Sequence, residues 1–439
     1  MRFASEVRSL LRLAGPIIIS QLGGIGLNVM DTVMVAPLGA GALATVGLAT
    51  SIHMVLLTLC IGTLLGMSPL ISQAHGAGRG AECRRVWVQG FWLALALSVP
   101  MVAISLAGEP LARALGQQPD LARDVGRFLR ALAFGVPPFL VFLACRQYLE
   151  GMSLTRPTMV VTFLGLGVNY IANSALIPVL GAVGTGWATT LVRWAMLAAI
   201  GVYLLRHSRI GRLRGVSRRP DWPLLRRITG IGVPSAIQIG SEVAFFSACA
   251  VMMGWFGALE LGTHQITINL AATTFMVALG TGIAGSIQVG QEIGMRSPSG
   301  VRHATGATYL LAVGAMACFA VLFLLAPGTL LAFYTRDPAI VELGTLLLGV
   351  AALFQVFDGA QVAGISVLRG AADTRIPTLI TTVAYWLVGV PAAYLLGFRT
   401  ELGPLGVWIG IVIALAVAAL LLGWRVHRLL VRGAPRFAA

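Results

Sequence analysis

Three carboxylates lie inside long apolar segments of this sequence: Asp31 in "LNVMDTVM", Glu242 in "SEVAFF" and Asp358 in "FQVFDGAQ". A charge at mid-bilayer costs about 2.5–3.5 kcal/mol on insertion scales, so such an acid is paired, protonated or open to a polar cavity. An embedded carboxyl can load and release a proton, and its oxygens also suit a small hard cation such as Na⁺. A structural alternative is a carboxylate that kinks or caps a helix by bonding a neighbouring hydroxyl.

Polar side chains in two other apolar segments fit the same chemistry. Asn169 and Asn173 stand four residues apart in "GVNYIANSAL", which places them on one face of a helix, and Thr189 lies early in the next segment. Amide and hydroxyl oxygens beside a carboxylate form a cluster suited to a proton relay or a monovalent cation. Asn and Thr also hydrogen-bond between membrane helices, and their spacing does not decide between these roles.

Aromatic residues near the embedded acids could line a cavity for flat, hydrophobic cations. The candidates share proximity in sequence to Glu242 and Asp358 or a place in the eleventh predicted span: Phe245, Phe246, Phe357, Tyr385 and Trp386. Packing against lipid or against other helices is the alternative for each of them.

The composition requires a membrane protein. Of 439 residues 57% are hydrophobic and 11% charged, whereas soluble domains average about 25% charged residues. Twelve segments are long and apolar enough to cross a bilayer as helices. We therefore predict an all-α polytopic protein with spans near 14–36, 46–73, 86–107, 128–150, 157–178, 186–205, 229–256, 263–290, 305–327, 343–367, 376–397 and 404–424.

The net charge of +15 comes from arginine alone, because the sequence contains no lysine. With the N-terminus inside, 24 of the 31 basic residues fall in cytoplasmic segments and six in outside segments. This bias follows the positive-inside rule and predicts that both termini are cytoplasmic. We therefore attribute the excess of positive charge to membrane topology, and we expect no nucleic-acid partner.

An internal repeat divides the chain into two halves. A shift of 218 places Pro16 on Pro234 and Gly62 on Gly280, and a shift of 219 places "GMSLTR" on "GAADTR". Each half has six spans, so the copies share one orientation, as in one class of secondary transporters. We predict an N-lobe at 1–205, a basic cytoplasmic linker at 206–228, and a C-lobe with a cytoplasmic tail at 229–439.

Other function classes find little support in the sequence. A Walker A loop needs lysine, so an ATP-driven pump is excluded in this chain, and no HExxH zinc motif is present. The five cysteines are scattered and form no CxxC pair. A membrane-embedded enzyme is therefore a distant alternative, and we expect no metal beyond possible Na⁺ at the acids.

Taken together, these segments resemble the multidrug and toxin extrusion (MATE) family, in its NorM-type branch. The resemblance covers nearly the whole chain and rests on the order of several motifs: "MDTVMVAPLGAGALATVGL", "ISQAHGAGR", "GMSLTRP", "GVGTGWATTLVRW", "SEVAFF", "THQITIN", "SIQVGQEIG" and "FQVFDGAQVAGISVLRGAADT". It implies two six-helix bundles around a central cavity. By position, Asp31, Asn169, Asn173 and Thr189 match the family's N-lobe cation site, and Glu242 and Asp358 match its C-lobe acids.

The expected function is a secondary antiporter of the bacterial inner membrane that expels cationic drugs, and so supports antibiotic resistance, in exchange for H⁺ or Na⁺ by alternating access. The resemblance does not choose the ion. We expect small organic cations and the bilayer as partners, a monomer, and no cofactor. A lipid-precursor flippase of the same superfamily is the main alternative, although it would need a basic cavity, whereas the embedded charges here are mostly acidic.

Overall fold

The computed structural model describes residues 2–207 and 216–432, which form helices and turns and contain no strand. The predicted all-α membrane fold is confirmed. Eleven helices in these ranges are long and apolar enough to cross a membrane, and one bent pair of helices makes a twelfth span when counted together.

The helices are, in chain order, α1 (Arg2–Val35), α2 (Ala40–Leu64), α3 (Met67–Gly76), α4 (Gly80–Leu106), α5 (Gly108–Ala114), α6 (Pro119–Ala133), α7 (Val136–Gly151), α8 (Arg156–Leu180), α9 (Ala182–Arg206), α10 (Trp222–Phe256), α11 (Ala258–Gly294), α12 (Pro298–Leu325), α13 (Pro327–Ala332), α14 (Pro338–Gly370), α15 (Arg375–Val383), α16 (Val390–Phe398) and α17 (Pro404–Val426). A 3₁₀ turn (Ala36–Leu38) follows α1, and π-helical segments (Ala384–Gly389 and His427–Arg432) follow α15 and α17.

The fourth predicted span, 128–150, is not one straight helix. It contains the break between α6 and α7, whose axes differ by 47°. Gly135 lies at the break, and α7 then begins at Val136 with Pro137 in its first turn, where a missing N–H costs no helical hydrogen bond. A side chain at 135 would meet Thr190 Oγ1 at 2.8 Å, so glycine also lets α9 approach the bend.

The chain separates into two compact units whose boundaries fall inside helices. One, which we call the N-unit, is Ile19–Ala236, and the other, the C-unit, is Met1–Ile18 with Ile237–Ala439. The cuts in α1 and α10 lie at positions that the 218-residue repeat equates, shortly after its paired prolines. The lobe limits at 205 and 229 stay a prediction, and residues 208–215 of the linker and 433–439 of the tail lie outside the described residues.

Glycines permit backbone contact where helices cross within each unit. In the N-unit, a Cβ on Gly62 would lie 2.3 Å from the Cα of Ala236, so α2 and the first half of α10 touch backbone to backbone. In the C-unit, a Cβ on Gly280 would lie 2.9 Å from the Cα of Ile18. These are the residue pairs that the repeat superposes, so the same close crossing, typical of small residues between membrane helices, occurs in both units.

Side chains of α4 form hydrogen bonds with the end of the basic linker. Arg85 donates to the Asp221 carboxylate, with Nε 2.9 Å from Oδ2. Gln89 donates to the carbonyl of Arg219 at 3.0 Å and accepts from the Asp221 N–H at 2.9 Å. Trp92 Nε1 donates to the carbonyl of the residue before Arg219 at 2.8 Å. The hydrogen bond from Arg85 lowers the pKa of Asp221 below its usual range, so this contact is charged at neutral pH.

Gly62→Ala is expected to destabilise the protein by about 1–3 kcal/mol, because its methyl group meets the backbone of Ala236, which cannot rotate away. Gly47→Ala on the same helix is the matched control: nothing lies within 4 Å of its Cβ position, and alanine is the better helix former. Thermal unfolding in detergent measures both, and equal melting temperatures would contradict the close crossing.

Arg85→Ala is expected to raise tryptic cleavage after Arg218 about two- to fivefold, because an exposed ion pair holds this segment only modestly. Arg79→Ala, whose partner Glu82 lies on the same helix turn, is the control. Acidification acts in the same direction: the depressed pKa of Asp221 means that the contact weakens only as pH falls through that lowered value. Unchanged cleavage, followed by mass spectrometry, would argue against the docked segment.

Candidate functional site

The four residues predicted for the N-lobe site meet in the N-unit. Asp31 lies on α1, and its Oδ1 accepts from Asn169 Nδ2 at 2.9 Å and from Asn173 Nδ2 at 2.7 Å. The two asparagines share one face of α8, as their spacing predicts, and Asn173 also donates to Asn169 Oδ1 at 3.1 Å. Thr189 Oγ1 on α9 lies 3.3 Å from Asp31 Oδ2. Three helices therefore converge on one carboxylate.

In this conformation, hydrogen-bond donors and not oxygen ligands face Asp31. Both amide nitrogens point at Oδ1, while Asn173 Oδ1 is buried without a partner. The Thr189 hydroxyl has a second acceptor, the Thr185 carbonyl at 2.9 Å, but carries a single hydrogen. These donors stabilise the ionised carboxylate. Oδ2 accepts fewer hydrogen bonds than Oδ1.

A buried arginine and histidine lie in the same unit. Arg193 on α9 places Nη2 3.0 Å from His53 Nε2 on α2, and its guanidinium carbon sits 4.8 Å from the centre of the Phe139 ring on α7. An electrostatic attraction connects Arg193 with Asp31. Arg193 lies within the sixth predicted span, 186–205, whereas its partner His53, 140 positions away, carries no sequence signal.

Both C-lobe acids lie in the C-unit. Glu242 Oε2 on α10 accepts from Gln238 Nε2 one turn earlier at 2.9 Å. Asp358 on α14 is 1% exposed, and its Oδ2 has no hydrogen-bond partner. The two carboxylates repel each other when both are ionised, and Glu242 is attracted to Arg369. Two like charges and one buried acceptor without a donor make this cluster attractive to a proton or a cation.

The aromatic candidates divide by exposure. Tyr385 stacks on Phe245 with ring centres 5.0 Å apart, and both are fully buried in the core of the C-unit. Phe246 and Phe357 are partly buried and pack on that core. Trp386 is 39% exposed and donates to the hydroxyl of a serine on α10 at 2.9 Å. Phe246, Phe357 and Trp386 thus keep accessible surface in this conformation, whereas the other two serve packing.

Helical spacing points to two polar partners that the sequence analysis did not select. Gln238 lies four residues before Glu242, and Gln361 lies three residues after Asp358 and donates to the Tyr385 hydroxyl at 2.6 Å. Neighbours at three and four positions share a helix face, so the embedded acids themselves could have identified both.

A further acid, also missed, is buried in a different environment. Glu150 at the end of α7 is buried, but Arg146 Nε lies 2.6 Å from its Oε1, and Arg146 Nη2 is fixed by Gln21 Oε1 on α1 at 2.7 Å. None of the ion pairs among the described residues includes Asp31, Glu242 or Asp358. Unlike Glu150, the three predicted site acids therefore have no adjacent cation among the described residues.

Comparisons with known proteins agree with this architecture. The family model described as MatE matches residues 16–174 and 234–395, one match in each half of the repeat. The chain is 38% identical to "Probable multidrug resistance protein NorM" of Burkholderia mallei, over 95% of this chain and 92% of that one. It is 35% identical to "Multidrug resistance protein MdtK" of Yersinia pseudotuberculosis, over 97% and 96%.

Solved structures share the fold at lower identity. The eukaryotic MATE transporter AtDTX14 superposes with a TM-score of 0.88 at 21% identity, covering all of both chains. An outward-facing multidrug resistance MATE transporter of the MOP superfamily superposes with a TM-score of 0.89 at 23% identity, over 98% of this chain and 97% of that one. These likenesses concern the fold alone.

Tyr385→Phe is expected to destabilise the C-unit by about 1–3 kcal/mol, because it leaves the buried Gln361 Nε2 without its acceptor while keeping the stack on Phe245. Tyr394→Phe is the control, since that ring is 40% exposed, and its cost should stay within about 0.5 kcal/mol. Melting temperatures of purified protein decide; equal values would mean that the Gln361–Tyr385 hydrogen bond contributes nothing.

Proposed function

This chain belongs to the MatE family of multidrug efflux transporters, and we propose that it exports organic cations in exchange for H⁺ or Na⁺ by alternating access. The relatives named NorM and MdtK are multidrug resistance proteins, which supports transport as the activity and not catalysis. The many membrane-spanning helices and these bacterial relatives make it a multi-pass inner-membrane protein. Cytoplasmic termini and a monomeric state are part of the proposal.

The observation that carries the proposal is the Asp31 carboxylate, embedded in the N-unit among neutral donors and outside every described ion pair. An acid so placed changes the net charge of its surroundings when it loads a cation. A ligand shifts a conformational equilibrium only if its affinity differs between the two states. A site that is anionic when empty and neutral when loaded supplies such a difference.

Proton loading needs the smaller rearrangement at this site. A proton on Asp31 Oδ2 can donate to Thr189 Oγ1 while the threonine hydrogen stays on the Thr185 carbonyl, and both amides keep their bonds to Oδ1. Na⁺ needs several oxygen ligands, so at least one asparagine must turn its carbonyl towards the ion. Asn173 Oδ1, buried without a partner, is the oxygen available for that rotation. Both ions therefore remain in the proposal.

The C-unit carries a separate set of groups that suits an organic cation. Glu242 is partly exposed, Asp358 contributes an oxygen that lacks a donor, and Phe246, Phe357 and Trp386 add aromatic surface. A delocalised cation interacts favourably with aromatic faces and is neutralised by a carboxylate. The lipid-precursor alternative would place an anionic headgroup beside these acids, which the charges disfavour.

Efflux of a fluorescent cationic dye from proteoliposomes tests the function, with the pH gradient and the Na⁺ gradient imposed separately. Asp31→Asn is expected to reduce gradient-driven efflux at least about tenfold, because the amide neither binds a proton at neutral pH nor neutralises Na⁺. Asp120→Asn removes an exposed carboxylate of the same unit and serves as the matched control.

The two variants must first be shown to insert equally, by size-exclusion profile and melting temperature. Full gradient-driven efflux by Asp31→Asn would contradict the proposed mechanism. Movement of an anionic lipid probe, with no response of the cationic dye to either gradient, would favour the flippase instead.

A further inference from the structure

Each unit buries one arginine that takes part in none of the described ion pairs. Arg193 in the N-unit is 7% exposed and Arg369 in the C-unit is 6% exposed. Arg193 Nη1 and Arg369 Nε also lack any hydrogen-bond partner. Burying a guanidinium costs free energy because the charge loses its hydration, unless an opposite charge offsets that loss. Since neither arginine has an adjacent acid among the described residues, the carboxylate that attracts each of them is more distant.

The groups that hold Arg193 are neutral. A guanidinium only donates, so His53 Nε2 must accept at 3.0 Å, and the imidazole is the neutral tautomer with its hydrogen on Nδ1. The Phe139 ring lies under the guanidinium at 4.8 Å and contributes its π-face. The guanidinium is therefore positioned without being neutralised.

The bend between α6 and α7 gives this side chain its place. A Cβ at Gly135 would lie 3.0 Å from Arg193 Cδ, so any larger residue at the bend would press on the arginine stem. Phe139 follows one turn later on α7. The position of the guanidinium is therefore set by its contact with the Phe139 ring and by the space that Gly135 leaves for its stem.

Asp31 is the carboxylate that interacts with this charge. Thr189, one turn before Arg193 on α9, lies 3.3 Å from Asp31 Oδ2, so the carboxylate stands beside the helix face that carries the guanidinium. The two opposite charges attract each other without forming one of the described ion pairs. The other groups bound to Asp31, Asn169, Asn173 and Thr189, are uncharged. The ionised Asp31 thus sets one partly buried negative charge against one buried positive charge, and loading H⁺ or Na⁺ leaves the guanidinium uncompensated.

We propose that Arg193 is a positioning residue whose fixed charge sets how tightly Asp31 holds the coupling cation. The inference rests on the proposed function. Repulsion from Arg193 weakens the hold of Asp31 on a loaded cation in this conformation, which favours release or a change to a state in which the guanidinium regains water. A site built to release its ion in each cycle needs such a limit on affinity.

The C-unit repeats the arrangement with different residues. Arg369, in the last turn of α14, is attracted to Glu242 on α10 without an adjacent ion pair. The 219-residue shift that aligns Gly151 with Gly370 places Arg369 on Glu150 and not on Arg193. The pairing of an unpaired acid with a remote buried arginine is therefore not inherited from the repeat, but occurs once in each unit.

The test measures the cation concentration that gives half-maximal dye efflux, under whichever gradient drives the wild-type protein. Arg193→Gln is expected to lower that concentration about tenfold, because Asp31 then binds the cation without repulsion, and to slow maximal turnover through slower release. The half-saturating dye concentration should change little. Arg193→Lys keeps the charge and should restore the wild-type value.

Two further variants make the outcome decisive. Arg193→Met guards against a folding defect, since an apolar side chain of similar length is often tolerated in place of a buried charge, and it should reproduce the glutamine result. Arg123→Gln removes an exposed charge from the same unit and should leave the half-saturating concentration unchanged.

The transport activity and the role of Arg193 have separate contradicting outcomes. If the wild-type protein moves dye under neither gradient, the proposed function is wrong. If the wild-type is active and Arg193→Gln or Arg193→Met lowers only the maximal rate, with the half-saturating cation concentration unaltered, Arg193 is merely structural and the inference is overturned.

Discussion

Hydrogen bonds to the Asp31 carboxylate require three helices of the N-unit to stand in one relative position. The donors come from α8 and α9, and their distances of 2.7–3.3 Å leave little room for displacement. Close packing between α1 and α8 makes this possible: a Cβ at Gly23 would lie 2.9 Å from Thr162 Cγ2, and Ser20 shares a 3.0 Å hydrogen bond with Thr162. Small and hydroxylated residues on α1 therefore determine the geometry of the acid two to three turns later.

Small residues also permit the close packing of the first halves of α1 and α10. Each helix divides between the two units just after its repeat-matched proline, and each first half crosses its neighbour at a glycine: Gly280 for α1 and Gly62 for α10. A proline frees one backbone bond of the preceding turn and permits a bend there. The close contacts at Ile18 and Ala236 lie two residues after these prolines and directly before the change of unit, so each proline permits a bend where the packing environment of its helix changes.

Much of this arrangement could be predicted from the sequence, because its causes are local. Length and hydropathy locate the spans, and the four-residue spacing of Asn169 and Asn173 fixes their common face. Other features depend on contacts between distant residues. The 140-residue separation of His53 and Arg193, the direction in which each asparagine amide points, and the full burial of Phe245 leave no local trace. The bend at Gly135 is an intermediate case, since the following prolines mark a helix start but not its 47° angle.

The repeat conserves the scaffold but not the chemistry. The crossings at Gly62 and Gly280 coincide under the 218-residue shift, whereas the same shift places Asp31 on Cys249, a buried core residue of the C-unit. The N-unit surrounds a single acid with neutral donors, and the C-unit sets two acids near each other with an unsatisfied oxygen. Donors stabilise the ionised form of Asp31, while neighbouring like charges disfavour two ionised carboxylates at once. The two units thus share a scaffold but surround their acids with different groups: neutral donors around Asp31, and a second carboxylate for Glu242 and Asp358.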